Sequence, residues 1–189
     1  MEGGKALAKI LYGDVNPSGK LPFSIPKNIS DYPYFNPFTD TITYGYYHGY
    51  TLFEKLGKAI SYPFGFGLSY SKFNYKNLII SELNTKDSTY QISFDIENIS
   101  NYNGKEVAQL YVGFNESKVD RPIKLLRGFK KILIPSKETK NVSFKLNIND
   151  LSWYNPEKKK WEIEEIKYKI LVGSSSRKND LIHSYISLE

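Results

Sequence analysis

The nine residues Tyr62-Pro63-Phe64-Gly65-Phe66-Gly67-Leu68-Ser69-Tyr70 divide this sequence of 189 residues into two dissimilar parts. Six of the chain's nine prolines and nine of its 13 glycines precede residue 75. Residues 75–189 instead carry short apolar or β-branched runs separated by polar turns. The nine-residue run, hereafter the joint, is therefore interpreted as the connection between two domains.

The part that follows the joint is predicted to be an antiparallel β-sandwich, because short runs recur at intervals of roughly 10–15 residues. Ile92, Phe94 and Ile96 alternate with polar residues, which predicts one buried and one solvated strand face. Asn155-Pro156-Glu157, before Lys158-Lys159-Lys160, is typical of a hairpin tip. The predicted strands are Leu78–Leu83, Tyr90–Ile96, Val107–Phe114, Gly128–Ile134, Val142–Leu146, Lys160–Ile163, Lys167–Gly173 and Ile182–Ile186.

The part before the joint contains fewer regular patterns. Lys5–Tyr12 favours a short helix, which Gly13 is expected to end in a left-handed conformation. The alternation of apolar residues over Leu21–Ile25 predicts a strand that Pro26 ends, and residues 27–67 show no sustained period. Long irregular stretches are uncommon inside independent domains. This part is therefore expected to wrap around a larger body.

Composition excludes several classes of protein. The net charge of +6 is spread along the chain, and only three of the 26 basic residues are arginines, so no nucleic-acid partner is expected. No apolar stretch approaches the ~18 residues of a membrane helix, so no membrane partner is expected. The first residues lack the pattern of a signal peptide, and the compartment is left open with a lean to the cytoplasm. Two histidines and no cysteine argue against a metal site, and no cofactor is expected.

Six blocks of the sequence, in this order, resemble glycoside hydrolase family three, the β-glucosidase and β-xylosidase family. They are Glu2–Ala8, Tyr12–Pro22, Tyr46–Tyr50, the joint, Glu106–Val112 and Arg121–Lys130. The resemblance implies a mainly β chain, with residues 1–67 a remnant of an α/β sandwich domain and 68–189 a fibronectin-III-like (immunoglobulin-like) β-sandwich. The family more commonly has Gly-Tyr-Arg-Tyr-Tyr where this chain has Gly49-Tyr50-Thr51-Leu52-Phe53.

The resemblance also implies which catalytic groups this sequence does not supply. A retaining glycosidase needs a nucleophilic carboxylate and an acid/base carboxyl about 5–5.5 Å apart. In the family the nucleophile is an aspartate of an N-terminal barrel, and the acid/base lies upstream of the region that matches Glu2. Neither has a matching position here, so no catalytic residue is assigned. We interpret the chain as a fragment, a split gene product or a sequence with a misplaced start at Met1.

Several individual polar residues are candidates for a functional or structural role. His48 and Tyr47 are the candidate substrate-binding residues, because an imidazole among tyrosines can bond sugar hydroxyls while the rings stack on sugar faces. The alternative is that these tyrosines pack against other parts of the enzyme. Asp14 is expected to stabilise a turn. Arg121 and Arg127 are expected to pair with carboxylates inside the sandwich or at its contact with the enzyme body, although ligand binding remains an alternative.

Two functional hypotheses follow from these observations. The first is the C-terminal fragment or subunit of an enzyme that hydrolyses terminal β-glycosidic bonds. Its partners would be the barrel, the α/β domain and an oligosaccharide substrate, and the chain alone would be inactive. It predicts protease cleavage near the joint. The alternative is a free-standing sandwich module that binds carbohydrate or protein without catalysis.

Overall fold

The computed structural model describes residues 2–84, 88–114 and 116–188, so Met1 lies outside the described residues. Two helices, α1 (Gly3–Leu11) and α2 (Gly49–Lys55), and two short strands, β1 (Ile25–Pro26) and β2 (Ile60–Tyr62), precede or enter the joint. The strands that follow are β3 (Phe73–Asn84), β4 (Thr89–Asn98), β5 (Gly104–Gly113), β6 (Lys124–Ile134), β7 (Thr139–Asn147), β8 (Trp153–Asn155), β9 (Lys160–Glu162), β10 (Lys167–Gly173) and β11 (Leu181–Ser187). No described helix has the length and apolar character needed to cross a membrane.

Two antiparallel sheets, β3-β4-β7 and β11-β10-β5-β6, face each other across one apolar core. Ile92, Phe94 and Ile96 of β4 are fully buried, as their alternation predicts, and each contributes roughly 1.5–3 kcal/mol through burial. They meet Leu110 of β5 and Ile170 of β10 in the same core. The mainly β sandwich is therefore confirmed.

The strands predicted after the joint are observed, mostly with longer bounds. The predicted hairpin tip is also confirmed, because β8 pairs with β9 through Trp153 opposite Glu162. Sequence analysis missed β8 itself, since three residues are too few to show an alternation.

Two expectations for the first part are wrong. The strand predicted over Leu21–Ile25 shrinks to Ile25–Pro26, because β1 has a partner only where it meets β2, with Ile25 opposite Tyr62. Residues 27–67 are not all irregular, since α2 lies within them. The helix predicted at the start is observed as α1, and Gly13 follows its end with φ of +83°.

The joint is held on both sides. Towards the first part, the Leu21 N–H donates to Phe66 O and the Gly65 N–H donates to Leu21 O, both at 2.8 Å. Towards the sandwich, the Ser176 N–H donates to Phe64 O at 2.9 Å. The backbone of the joint is therefore hydrogen-bonded both to the first part and to the sandwich.

Asn16 provides a second attachment. Its side-chain amide donates to Ser71 Oγ (2.8 Å) and Asn103 O (2.9 Å), while Oδ1 accepts from the Ser69 hydroxyl and the Tyr70 N–H, both at 2.9 Å. These groups lie 53 or more residues away in sequence. Asn16, rather than the predicted Asp14, is the polar residue that organises this turn, because its amide group both donates and accepts, whereas a carboxylate only accepts.

A buried ion pair completes the attachment. Lys20 Nζ lies 3.1 Å from Glu106 Oε1, and the Tyr75 hydroxyl donates to the same oxygen at 3.0 Å. Burial raises the pKa of Glu106, although Lys20 and Tyr75 act in the opposite direction. Removing either Lys20 or Glu106 would leave the other charge buried without a partner, and such a loss strongly destabilises the folded state.

Candidate functional site

The loop that carries Tyr47 and His48 leads directly into α2. The Thr51 hydroxyl donates to His48 O (2.8 Å) and lies 3.3 Å from the His48 N–H, so Thr51 closes the first turn of the helix. The helix ends at Lys55, and Gly57 follows with φ of +62°. Thr51 stands where the family more commonly has arginine, and in this chain its role is to cap α2.

Apolar packing fixes α2 against the sandwich. The Tyr50 ring lies between Phe64 of the joint, with centroids 5.1 Å apart, and Tyr111 of β5, with centroids 6.1 Å apart. The Leu126 N–H of β6 donates to the Tyr50 hydroxyl at 3.0 Å. Tyr50 therefore links the loop, the joint and the sandwich through one side chain.

An ion pair lies beside this packing. Glu54 of α2 pairs with Lys124 of β6, and its other carboxylate oxygen is buried with no hydrogen-bond partner among the described residues. Burial raises the pKa of Glu54, while Lys124 acts to lower it. The pair holds α2 in place.

Tyr47 is held in a three-residue cluster on the surface. Its hydroxyl donates to Asp120 Oδ1 at 2.6 Å, and Lys55 Nζ donates to the same oxygen at 3.0 Å. Lys55 Nζ also lies 3.6 Å from the centroid of the Tyr47 ring. The hydrogen bond from Tyr47 and the Lys55 ammonium lower the pKa of Asp120. One ring face and the hydroxyl of Tyr47 are thus already engaged.

His48 and Tyr46 are both exposed, as are most residues of this loop, whereas Tyr47 is partly buried. Tyr46 packs its ring edge-to-face on Tyr47, with centroids 5.1 Å apart. The structure therefore brings the two sequence candidates together but gives them different surroundings, since His48 is open to solvent and Tyr47 supports Asp120.

A surface cleft of about 1060 Å³ begins at this loop and extends over the sandwich. Tyr46, Asp120 and residues of the β8–β9 hairpin contribute to its lining. Trp153 and Trp161, the only two tryptophans of the chain, both lie in it. Sequence analysis did not single out this cleft, although two tryptophans flanking a predicted hairpin tip were a visible signal.

The two arginines that border the cleft differ. Arg121 is buried, with Nη1 3.3 Å from Glu164 Oε2 and Nη2 donating to Leu151 O at 3.0 Å. Its predicted pairing inside the sandwich is therefore confirmed. Arg127 makes no hydrogen bond or ion pair within the described part of the chain and lines the cleft together with Asp150. Its predicted pairing is not observed there.

The described residues contain no group of three or more histidine or carboxylate side chains arranged to hold a metal ion. His183, the second histidine, lies on β11 with its ring against Tyr185, 5.6 Å between centroids. The cleft and the His48 loop both combine exposed aromatic rings with polar side chains, as ligand sites do.

Family comparisons agree with this arrangement. Residues 1–70 match the Glycosyl hydrolase family 3 C-terminal domain, and residues 106–176 match the Fibronectin type III-like domain. The chain is therefore similar to the C-terminal region of glycosyl hydrolase family 3.

Individual relatives support the same assignment. A beta-glucosidase from Kluyveromyces marxianus is 40% identical over 182 residues, a match that spans 93% of this chain and 21% of the relative. The solved structure of Beta-D-glucoside glucohydrolase from Trichoderma reesei superimposes with a TM-score of 0.88 at 32% identity, covering 100% of this chain and 29% of that one. A beta-glucosidase structure from K. marxianus in complex with glucose gives a TM-score of 0.85 at 38% identity, covering 98% and 23%. The chain therefore spans about a fifth to under a third of the length of these relatives.

Proposed function

We propose that this chain is the C-terminal portion of a β-glucosidase-like glycoside hydrolase, and that the complete enzyme hydrolyses terminal β-glycosidic bonds with retention. The observation that carries the proposal is the match of nearly the whole chain, in sequence and in fold, to proteins named beta-glucosidase. The nucleophile and acid/base would come from the barrel and α/β domain of the complete enzyme. The sandwich would support those domains.

An exposed apolar surface on the first part supports this arrangement. Helix α1 buries none of its residues, and Leu7 and Leu11 on it are exposed. Phe38 is 94% exposed, and Tyr34 near it is similarly open. Large apolar side chains left exposed in this number favour an interaction surface, and the proposed occupant is the rest of the same enzyme.

We propose that His48 contacts the sugar and that Tyr47 serves that contact indirectly. His48 is exposed, and an imidazole can donate to or accept from a sugar hydroxyl. Tyr47 has its hydroxyl and one ring face occupied by Asp120 and Lys55, which supports a positioning role.

The experiment that tests the enzyme assignment is a chimera. The matching region of the K. marxianus beta-glucosidase is replaced by this chain, and hydrolysis of an aryl β-glucoside is measured. We expect the chimera to be active, while the truncated relative and the 189-residue chain alone are inactive. A folded chimera without activity would contradict the proposal. Hydrolysis of the aryl β-glucoside by the 189-residue chain alone, if it persisted in the His48→Ala variant, would also contradict the proposal.

The chimera also tests the role of His48. We expect His48→Ala to raise KM about threefold to tenfold, which corresponds to losing a single hydrogen bond, with kcat changed less. His183→Ala provides the matched control, because His183 is the only other histidine and is also exposed. Equal KM values for the two variants would contradict a sugar contact.

A further inference from the structure

We propose that the cleft bordered by Tyr46, Asp150 and the β8–β9 hairpin is a binding site for a neutral gluco-oligosaccharide chain. The choice of a β-linked glucose oligomer rests on the proposed function. The argument for a carbohydrate rests on the cleft itself.

Aromatic rings are presented to solvent along the cleft. Trp161 is 68% exposed, although it belongs to a strand, and Tyr46, which also lines the cleft, is 65% exposed. Tyr154 packs edge-to-face on Trp161 at 5.6 Å, which fixes the orientation of both rings while leaving them accessible. Large aromatic side chains with a polar end suit ligands that combine apolar faces with hydroxyl groups, as sugar rings do.

Polar groups lie on the same surface. Arg127 lines the cleft without a hydrogen bond or ion pair in the described ranges, so its guanidinium is available. Asp150 also lines the cleft, and its Oδ2 already accepts from the Asn147 N–H at 3.1 Å, which fixes the carboxylate. A guanidinium fork that donates two parallel bonds, beside a fixed acceptor, matches neighbouring hydroxyls of a sugar ring.

The charges of the cleft favour a neutral ligand. Asp120 is neutralised by Lys55 and Arg121 by Glu164, and the remaining Arg127 faces a surface that also contains Asp150. No lysine lines the cleft among the described residues. An acidic polysaccharide or a nucleic acid would need a net positive surface, which this balance does not supply.

The hairpin is organised before any ligand arrives. Asn155 Oδ1 accepts from the N–H groups of Glu157 (3.0 Å) and Lys158 (3.2 Å), and its amide donates to Glu162 Oε2 at 2.7 Å. A rigid platform loses less conformational entropy on binding than a mobile one. The volume of about 1060 Å³ lies just above the ~300–1,000 Å³ range of ligand pockets, which suits an oligomer better than one sugar.

Tryptophan fluorescence provides a direct test, because both tryptophans of the chain line the cleft. The 189-residue chain is titrated with cellotetraose, and isothermal titration calorimetry is run in parallel. We expect a saturable change in emission, with glucose binding at least tenfold more weakly. Raising NaCl from about 50 to 500 mM should change the Kd less than twofold, since the ligand is neutral.

Variants locate the site. We expect Arg127→Ala to weaken binding at least fivefold with both tryptophans retained, and Trp161→Ala to weaken it at least tenfold by calorimetry. Phe129→Ala is the matched control, because Phe129 is an exposed aromatic residue of β6 that does not line the cleft. Circular dichroism establishes that each variant is folded.

Several outcomes would overturn the proposal. These are no binding of cellotetraose by the folded chain, unchanged affinity in both cleft variants, or tighter binding of trigalacturonate. If tryptophan emission shifts only when the chain is part of the chimera, and not on addition of cellotetraose, the cleft is occupied by another part of the enzyme and not by a carbohydrate. Cellotetraose binding by a chain whose chimera is inactive would overturn the proposed function and leave this inference standing.

Discussion

Gln109 shows how one side chain secures the joint. It is buried on β5, where its amide donates to Gly65 O (3.2 Å) and Ser174 O (2.6 Å) and its Oε1 accepts from the Tyr111 hydroxyl (2.6 Å). Gly65 has φ of +80°, and a Cβ added there would overlap this amide. The first glycine of the joint is therefore required by both its conformation and its neighbour.

We accordingly expect Gly65→Ala to lower the free energy of unfolding by about 3 kcal/mol or more, because the methyl group must displace an amide with three hydrogen bonds. Urea unfolding followed by circular dichroism measures this loss. Gly57→Ala is the control, since Gly57 also has positive φ but has open space around its Cβ position. Its cost should be about 1 kcal/mol. Similar losses in the two variants would mean that the contact with Gln109 is unimportant.

Glu106 supplies a pH dependence whose sign follows from its raised pKa. Below the unfolded pKa of about 4.3 the carboxyl is protonated in both states. As pH rises above that value, the folded state retains the proton more strongly than the unfolded state, so the stability that Glu106 contributes decreases until pH exceeds its folded pKa. The unfolding free energy of the wild type minus that of Glu106→Gln should therefore fall between pH 4 and 7.

Urea unfolding of both proteins at four pH values measures this difference. Asp120→Asn serves as the opposite case, because Tyr47 and Lys55 lower the pKa of Asp120. The stability from Asp120 is present above about pH 4 and is lost as pH falls through its folded pKa. A Glu106 difference that increases with pH would show that the Lys20 pair outweighs burial.

At the scale of elements, the β8–β9 hairpin depends on a few side chains rather than on strand length. Lys158 and Lys160 both lie within 3.2 Å of Glu162 Oε1, and these lysines with Asn155 lower the pKa of Glu162 to about 2. Three residues per strand supply too few backbone bonds to order a hairpin alone. Asn155 and Glu162 therefore fix its shape.

We expect Asn155→Ala to lower the free energy of unfolding by about 1–2 kcal/mol and to shift tryptophan emission to longer wavelength, because the tip and the Trp161 ring lose their orientation. Emission spectra and urea unfolding measure the two effects. Asn101→Ala is the control for Asn155→Ala, since Asn101 lies in an exposed turn of the same sandwich and makes no side-chain hydrogen bond in the described part of the chain. It should change stability by less than about 0.5 kcal/mol. An unchanged emission spectrum in Asn155→Ala would argue against this role.

The elements that sequence analysis predicted and those it missed differ in how they are stabilised. The strand that contains Ile92, Phe94 and Ile96 shows its buried face in its own alternation. Helix α2 does not, because its first turn is closed by Thr51 and its packing comes from Phe64 and Tyr111, which lie in distant segments. Short elements held by distant partners leave little local pattern.

At the scale of the whole molecule, the first part is attached firmly at some points and loosely at others. Asn16, Lys20 and the joint bond to the sandwich, whereas residues 33–48 form neither helix nor strand and are mostly exposed. The sequence suggests protease cleavage near the joint. We instead expect the joint to resist cleavage, because proteases need backbone that can be freed from its contacts.

We expect limited proteolysis of the full chain to cut first between residues 33 and 46. The two products should then elute together in native size-exclusion chromatography, because residues on each side of the cut are bonded to the sandwich. Mass spectrometry identifies the site. Asn16→Ala should speed release of the N-terminal product. A first cut between residues 63 and 75 would contradict this expectation, and the domain boundary at 67/68 stays a prediction.

The sequence by itself determined the sandwich, most of its strands, the hairpin tip and the family resemblance, because these depend on local alternation, turn residues and contiguous motifs. Only the tertiary structure decided that Asn16 rather than Asp14 anchors the turn, that Tyr47 holds Asp120, and that both tryptophans share a cleft with Arg127. The physical reason is that each of these contacts joins residues far apart in sequence. Such contacts are set by the packing of the two sheets, and the joint supplies the backbone that brings the first part against them.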